Sequence, residues 1–420
     1  MFGTENKGGL NLAVFGCALY IFVSIARLPE LFPTLAKLSL GNVSIILIAL
    51  GLLISRDKMT IPVFKTTIGK LLLAFILLSI ISIYYSVWRT HSLEYMFDMI
   101  LKIAILFYVI AKTATSLYII KFYLNCLILS AGLLSYLSIQ QTWVGRLTVS
   151  EFYDPNDLAL ILVSILPLSM IGIYVSKLKG KILYGSIVLM NLIAIMLTGS
   201  RGGFIGLIVI FAYLIFTKLP VTHHSTNRKI LFSKITIFVI LFGIIITFEN
   251  HEMWQRYTTI LNIQEDYNIT EQTGRLEIWK RGINIFLSRP YGVGIGASDI
   301  ADGMHGGRYQ TAHNSLLQVA IELGIVGLFI FLGFYRVAFK KLSVINKYIL
   351  NEEIRNRYAS QSLRNIKLGV FSFRGSLIGF FVTSMFLSQA YNSLFYVFLA
   401  IITSSVYLLE KSKTDCNQNI

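Results

Sequence analysis

Residues 157–176 read DLALILVSILPLSMIGIYVS, an almost unbroken run of apolar side chains. About twenty such residues in a helix are enough to cross the roughly 30 Å hydrocarbon core of a bilayer. Similar runs recur along the whole chain. Backbone polar groups have no water to bond inside a bilayer, so they must pair within each segment. The sequence therefore predicts an all-α, polytopic integral membrane protein.

The composition agrees with this fold class, because 55% of the residues are hydrophobic and only 14% are charged. Hydropathy predicts about twelve transmembrane helices in a single membrane domain, residues 1–420. The first span lacks a basic leader and a small-residue cleavage site, so it is expected to be retained rather than removed as a signal peptide. The predicted spans are 10–27, 38–55, 71–88, 95–112, 121–140, 157–176, 182–199, 202–218, 235–250, 314–336, 369–389 and 392–409.

The net charge of +16 is a topology signal rather than a sign of nucleic-acid binding. If the N-terminus is cytoplasmic, most Lys and Arg residues fall in cytoplasmic loops, including the basic loop 337–368. This positive-inside bias predicts that both termini lie in the cytoplasm. The basic loop also favours contact with anionic membrane lipid. The three cysteines give neither a disulfide framework nor metal-ligand spacing.

One large periplasmic loop, 251–313, is the outer segment long enough to fold over a site. Within it, residues 275–287 carry apolar side chains at helical spacing, which predicts an amphipathic helix. Thr273 and Gly274 precede its start as candidate capping residues. Two placements stay open. The helix lies in the membrane interface with Trp279 facing lipid, or it packs on the outer rim of the bundle.

Two arginines on this face have the chemistry for an anionic substrate. Arg201 sits between Thr198-Gly199-Ser200 and Gly202-Gly203, and the small neighbours leave room beside its guanidinium. Arg275 opens the predicted amphipathic helix, whose N-terminal amides would add to its affinity for anions. Guanidinium groups bind phosphate oxygens in a planar, bidentate manner. The alternatives are a snorkelling arginine at a span end and an ordinary polar-face residue.

His313 and Asn314 stand where the long loop meets an apolar span. A neutral imidazole can accept a proton at physiological pH. Asn314 can cap the helix that follows. Gly324 falls about 20° from His313 around an ideal helix, so the face beneath the imidazole is kept small. Glu322 falls on the opposite side and is expected to pair with another helix. The alternative is a helix-entry histidine that bonds a loop carbonyl.

A third polar segment, from Arg146 through Asp154 to Asn156, precedes the 157–176 span. Asp154-Pro155-Asn156 is typical of a turn that caps a helix. Arg146, Asp154 and Asn156 are also candidates for substrate binding in the same cavity.

Other polar features carry less information. Asp98 and Lys102 lie at i,i+4 inside a span, which favours an intrahelical ion pair, with a transport relay as the alternative. The glycines at 292, 294 and 296 have the wrong spacing for a dinucleotide loop, so no cofactor is predicted. A small-anion transporter and a non-catalytic scaffold for envelope assembly are the rival functions. No inverted repeat supports a transporter.

These motifs together resemble the O-antigen ligase and O-antigen polymerase superfamily of bacterial membrane glycosyltransferases. The resemblance is carried by Thr-Gly-Ser-Arg201-Gly-Gly, by Gly274-Arg275-Leu-Glu-Ile-Trp279 and by His313-Asn314 followed after nine residues by Gly324 and then Gly327. The Arg146 to Asn156 segment fits as well. Together, the motifs that carry the resemblance cover roughly residues 140–335.

The resemblance implies an enzyme of the lipid-linked-sugar glycosyltransferase type in the bacterial inner (cytoplasmic) membrane. Such enzymes move a glycan from undecaprenyl diphosphate to an acceptor hydroxyl on the periplasmic face without metal. Arg201 and Arg275 are then expected to hold the diphosphate, and His313 to act as the base. Arg146, Asp154, Asn156 and Asn314 are expected to bind substrate.

The acceptor implied is lipid A-core for a ligase or a growing glycan for a polymerase. The spacing after His313 favours a ligase, although Leu328-Phe329 replace the threonines that often follow in ligases.

Overall fold

The computed structural model describes residues 10–54, 61–140, 147, 154–217, 257, 274–350 and 360–417. These residues form helices joined by turns, and none of them lies in a β-strand. The α-helices are α1 Leu12–Ala26, α2 Leu28–Leu31, α3 Pro33–Lys37, α4 Leu40–Ile54, α5 Thr67–Tyr84, α6 Arg89–Tyr95, α7 Leu101–Thr113, α8 Leu117–Gln140, α9 Pro155–Val175, α10 Leu178–Leu197, α11 Arg201–Phe216, α12 Arg275–Ser288, α13 Ser298–Met304, α14 Ser315–Leu350, α15 Ser360–Ser384 and α16 Ser393–Asn417.

The polytopic all-α membrane fold is confirmed. In the part of the chain that the structure describes, eight helices are long and apolar enough to cross a membrane. Two shorter apolar helices, α1 and α11, also coincide with predicted spans. The predicted span 235–250 lies outside the described residues, so the count of twelve stays a prediction. Residues 337–350 of the predicted cytoplasmic loop continue α14 as helix.

Two predicted spans differ locally from the structure. The third begins at Thr67 rather than residue 71, because the Thr66 hydroxyl accepts the Gly69 N–H at 3.1 Å and so caps the helix earlier. The fourth is interrupted by a π-helical turn, Met96–Ile100, between α6 and α7. This turn contains Asp98, and π turns are frequent at functional sites.

Helix α9 lies at the centre of the bundle. Every residue from Leu158 to Gly172 is buried, and the helix packs against α8, α10, α11 and α15. It is therefore hydrophobic all round, as expected of a helix surrounded by other helices. Asp154 and Asn156 stand at its N-terminal end.

Helix α14 is not continuous, because Gly324 has φ 66° and ψ −164°. At this break, backbone groups of α14 form hydrogen bonds outside their own helix, and the segment 290–297 supplies the partners. Val293 and Gly294 donate to the Ile321 and Glu322 carbonyls at 2.9 and 3.0 Å, and Ile325 donates to the Pro290 carbonyl at 2.9 Å. Irregular backbone within a membrane protein needs such internal partners. The glycines of this segment therefore serve the fold.

Candidate active site

The candidate residues that the structure describes all lie at helix N-termini. Asp154 is the N-cap of α9, Arg201 is the first residue of α11, and Arg275 is the first residue of α12. His313 and Asn314 directly precede α14. Helix N-termini carry partial positive charge and unpaired N–H groups, and both favour anions. The predicted start of a helix at Arg275 is confirmed.

Arg201 is positioned by a tight turn and by close packing. Gly199 adopts φ 58°, and the Ser200 hydroxyl caps α11 by accepting the Gly203 N–H at 3.1 Å. A Cβ at Gly203 would lie 2.5 Å from the Ala159 Cβ, and one at Gly202 would lie 2.8 Å from the Phe386 Cβ. The glycines thus press the start of α11 against α9 and against the residues that follow α15. Glycine at these two positions therefore serves helix packing, because the space beside each is filled by a neighbouring residue.

The segment that holds His313 bonds the connection 385–392 between α15 and α16. His313 has a left-handed backbone, φ 45°, and its N–H donates to the Ser388 hydroxyl at 2.9 Å. Asn314 caps α14 as predicted, because its side-chain oxygen accepts the N–H groups of Leu316 and Leu317 at 3.0 and 3.1 Å. Left-handed backbone at a non-glycine residue is uncommon and clusters at functional sites.

Arg275 and Asp154 lie within electrostatic reach of His313. Burial lowers the pKa of His313 below its ordinary value, and the positive charge of Arg275 lowers that pKa further. The carboxylate of Asp154 acts in the opposite direction and raises the pKa. The first two effects prevail, so the imidazole is neutral near pH 7 and able to accept a proton. The structure thus brings three of the candidates together.

The start of α11, which carries Arg201, packs against the two elements that hold Asp154 and His313 in place. Helix α11 contacts Ala159, one turn after Asp154, and Phe386, two residues before the Ser388 that bonds His313. Tyr257, a described residue of the long loop, stacks on Phe204 with ring centroids 4.5 Å apart. Tyr257 of the long loop therefore contacts the first turn of α11.

Helix α12 follows the predicted amphipathic stretch but turns a different face to the protein. Ile278, Gly282 and Ile285 are buried, and Gly282 lies against Leu317 and Ile321 of α14. The indole N–H of Trp279 donates to the Ala312 carbonyl at 3.0 Å, so Trp279 braces the residue before His313 instead of facing lipid. The apolar side chains exposed on α12 are Leu276, Ile283 and Leu287.

Glu322 ties the site to its support. Its carboxylate is fully buried and accepts bonds from the Gly296 N–H at 3.0 Å, the Ser298 hydroxyl at 2.8 Å and the Tyr391 hydroxyl at 2.7 Å. A fourth donor, the Gln318 amide, lies 3.3 Å away. One acceptor thereby fixes α14, the glycine segment and the 385–392 connection together. The expected partner on another helix is Ser298, the first residue of α13, and the remaining donors come from the glycine segment, the connection and α14 itself.

Sequence reasoning missed the part played by the 385–392 connection, which appeared only as a short turn. Gln389 donates from its side chain to Asp157 at 2.7 Å and from its backbone to the Ser315 hydroxyl at 2.9 Å. The connection thus links the starts of α9 and α14. The available signal was Ser388-Gln389 followed by Tyr391-Asn392, a polar run between two apolar spans.

Arg146 lies outside the described residues, so its placement stays a prediction. Among the residues that the structure does describe, no group of three or more His, Cys, Asp or Glu side chains is arranged to hold a metal ion. That the protein works without a metal or another cofactor stays a prediction.

Comparison with known proteins agrees with the motifs. The family model for O-antigen ligase matches residues 186–332, which contain Arg201, Arg275 and His313. Asp154 and the 385–392 connection lie outside the matched range. The resemblance to the O-antigen ligase and polymerase superfamily is thereby confirmed.

A curated relative supports the same superfamily. The chain is 25% identical over 277 residues to the teichuronic acid biosynthesis protein TuaE of Bacillus subtilis (strain 168). The similarity covers 63% of this chain and 53% of the relative, so the chain spans about half the length of the protein that it matches. Both comparisons therefore show that the chain is similar to proteins of bacterial glycan assembly.

Proposed function

We propose that this membrane glycan-assembly protein, which carries an O-antigen ligase domain, transfers a glycan from undecaprenyl diphosphate to an acceptor hydroxyl on the periplasmic face. The observation that carries the proposal is that His313 is half-buried and lies within electrostatic range of both Arg275 and Asp154. Arg201 starts the helix that packs beside them. Cell-surface polysaccharide of the O-antigen type is the proposed product.

The leaving group determines what the arginines do. When the glycosidic bond to the diphosphate breaks, negative charge grows on the departing phosphate oxygen. Arg201 and Arg275 would hold that charge through bidentate hydrogen bonds, and the N-terminal amides of α11 and α12 would add to the positive field. Electrostatic stabilisation of this type is usually the largest catalytic contribution. It needs no metal when guanidinium groups supply the charge.

His313 would supply the base. The acceptor hydroxyl attacks the anomeric carbon, its O–H bond breaks, and the proton passes to the neutral imidazole. Burial and the charge of Arg275 keep the imidazole unprotonated. Transfer of a proton to a positioned base contributes about 10²–10⁴-fold to such reactions. Asn314 would fix the start of α14 and offer its exposed polar edge to substrate.

We favour a ligase that delivers the completed glycan to lipid A-core, because of the spacing of the His313, Gly324 and Gly327 motif. Leu328-Phe329, in the place of threonines, favours the second candidate, a polymerase that extends a growing glycan. Deletion of the gene separates the two. Loss of a ligase leaves full-length chains on the lipid carrier, whereas loss of a polymerase leaves single repeats.

The test of the transferase itself uses Arg201→Ala, Arg275→Ala and His313→Ala. We expect a fall in transfer of about 10²–10³-fold for either arginine variant. For the histidine variant we expect a fall of about 10²–10⁴-fold. Surface glycan and the amount of inserted protein are measured together. Normal glycan in all three variants contradicts the proposal.

Two matched controls come from the same loop. Lys280 lies in α12 with Arg275 but pairs with Glu277 at 2.6 Å. The ring of His305 bonds the Ala301 carbonyl at 2.8 Å. Lys280→Ala and His305→Ala remove a cation and an imidazole from the loop without touching the proposed site. Both are expected to keep normal surface glycan.

A further inference from the structure

A cavity lies beside the candidate active site. Its volume is about 330 Å³, which falls within the usual range of about 300–1,000 Å³ for small-ligand pockets. It opens to the surface and is bordered by α1, by the π-helical turn with the start of α7, and by the connection between α15 and α16. The polar residues that line it include Tyr20, Arg27, Asp98, Lys102, Gln389 and Asn392.

The cavity shares a wall with the site of transfer. Ser388 lines it and also accepts the N–H of His313 at 2.9 Å. Gln389 lines it and bonds Asp157 at the start of α9. Arg27, which also lines the cavity, is near enough to Asp157 for their charges to interact. A ligand held here would therefore lie against the connection that bonds the backbone of His313.

The lining has the chemistry of a carbohydrate site. Sugar hydroxyls both donate and accept hydrogen bonds, so they need both kinds of partner. Asp98 offers acceptors, Lys102 and Arg27 offer donors, and Gln389 and Asn392 offer both. The tyrosine side chains add apolar ring surface for a pyranose.

This cavity also gives a use to Asp98 and Lys102, a charged pair placed inside an apolar span. Their side chains meet at 3.0 Å yet remain 76% and 60% exposed. An ion pair of such exposure contributes little to stability. The pair begins in the π-helical turn Met96–Ile100, which turns Met99 as well as Asp98 toward the cavity.

We infer that this cavity binds a sugar residue of the acceptor glycan and so holds that glycan beside His313, where a hydroxyl of a neighbouring sugar residue can reach the imidazole. The inference rests on the proposed transferase function. The donor is assigned to Arg201 and Arg275, which leaves the cavity behind Ser388 for the second substrate. Two lipid-anchored glycans can then approach the imidazole from different sides of the 385–392 connection.

Photo-crosslinking in living cells tests the ligand without knowing its identity. Met99 lines the cavity, whereas Phe97, exposed on the same π-helical turn, does not. Each is replaced in turn by the photoreactive residue p-benzoylphenylalanine. After irradiation, the peptide that carries the adduct is identified by mass spectrometry. We expect saccharide masses at position 99 and acyl-lipid masses at position 97.

Acyl lipid alone at position 99, or no adduct there, overturns the inference. The same experiment in the Arg201→Ala background separates the two proposals. If transfer is lost while the saccharide adduct persists, both stand. If Arg201→Ala leaves surface glycan normal, the proposed function fails even where the adduct forms. If no saccharide adduct forms at position 99 while transfer still requires Arg201, the acceptor site is overturned and the proposed transferase function stands.

A kinetic measurement assigns the sugar to the acceptor. The double variant Asp98→Asn, Lys102→Gln removes both charges and leaves side chains of similar size. In reconstituted membranes, with native lipid-linked glycan as donor, we expect the KM for the acceptor to rise about tenfold. The kcat and the KM for the donor should stay the same. A rise in the KM for the donor alone contradicts the assignment.

Discussion

The two halves of the candidate site are held in different ways. Arg201 stands on a half built by close packing, where Gly202, Gly203 and Gly206 let α11 touch α9 and α15. His313 stands on a half built by hydrogen bonds, where backbone and side-chain donors converge on the buried carboxylate of Glu322. The first half should be sensitive to added volume. The second should be sensitive to the loss of a single acceptor.

Glu322→Ala should have the largest effect on stability. It leaves the donors of Gly296, Ser298 and Tyr391 buried without their acceptor, and each such group costs about 1–3 kcal/mol. We expect a severe loss of folded protein, measured by thermal unfolding in detergent followed by size-exclusion chromatography. Glu322→Gln keeps the shape but puts an amide donor among donors, so we expect an intermediate loss. Wild-type stability of Glu322→Gln would mean that the shape of the side chain, and not its two carboxylate acceptors, holds this half together.

Gly324→Ala attacks the same half through the backbone. The combination of φ 66° and ψ −164° is essentially restricted to glycine, and such strain costs about 1–3 kcal/mol. A Cβ would also lie 2.3 Å from the Pro290 carbonyl oxygen that bonds Ile325. We expect lower stability and lower transfer together, because the 290–297 segment must move. Gly369→Ala is the control, since no atom lies near its Cβ position. Unchanged stability and transfer in Gly324→Ala would contradict a backbone break at this residue.

Glu322 and Gly324 also show what could be predicted from the sequence and what could not. Hydropathy located the membrane helices, since burial in lipid depends on local composition. The motifs located Arg201, Arg275 and His313. The break at Gly324 was missed because a small face beneath His313 and a broken backbone both require glycine. The Glu322 network was missed because its donors come from segments distant in sequence, which only the tertiary fold brings together.

Gly203→Ala tests the packed half. The new Cβ would lie 2.5 Å from the Ala159 Cβ, and overpacking of this type costs about 1–3 kcal/mol. We expect reduced thermal stability and reduced transfer, because Arg201 lies two residues away. Gly185→Ala in α10 has open space around its Cβ and should be neutral or slightly stabilising.

The compensating change makes the packing test specific. Ala159→Gly removes the methyl group that the new Cβ would meet. In the double variant Gly203→Ala, Ala159→Gly we expect recovery of most of the lost stability, measured as the coupling energy of a double-mutant cycle. A cycle with no coupling would mean that Gly203 acts through its backbone freedom and not through contact with α9.

Asp154→Asn should have the smallest effect, and it acts on the electrostatics that join the halves. Asn can still cap α9, so stability should be nearly unchanged. The carboxylate raises the pKa of His313, so its removal lets burial and Arg275 lower that pKa further. Transfer needs neutral His313 and falls as the pH drops through that pKa. The acidic limb of the rate–pH profile should therefore move to lower pH. A shift to higher pH, or none, would mean that Asp154 does not act on the imidazole that performs the transfer.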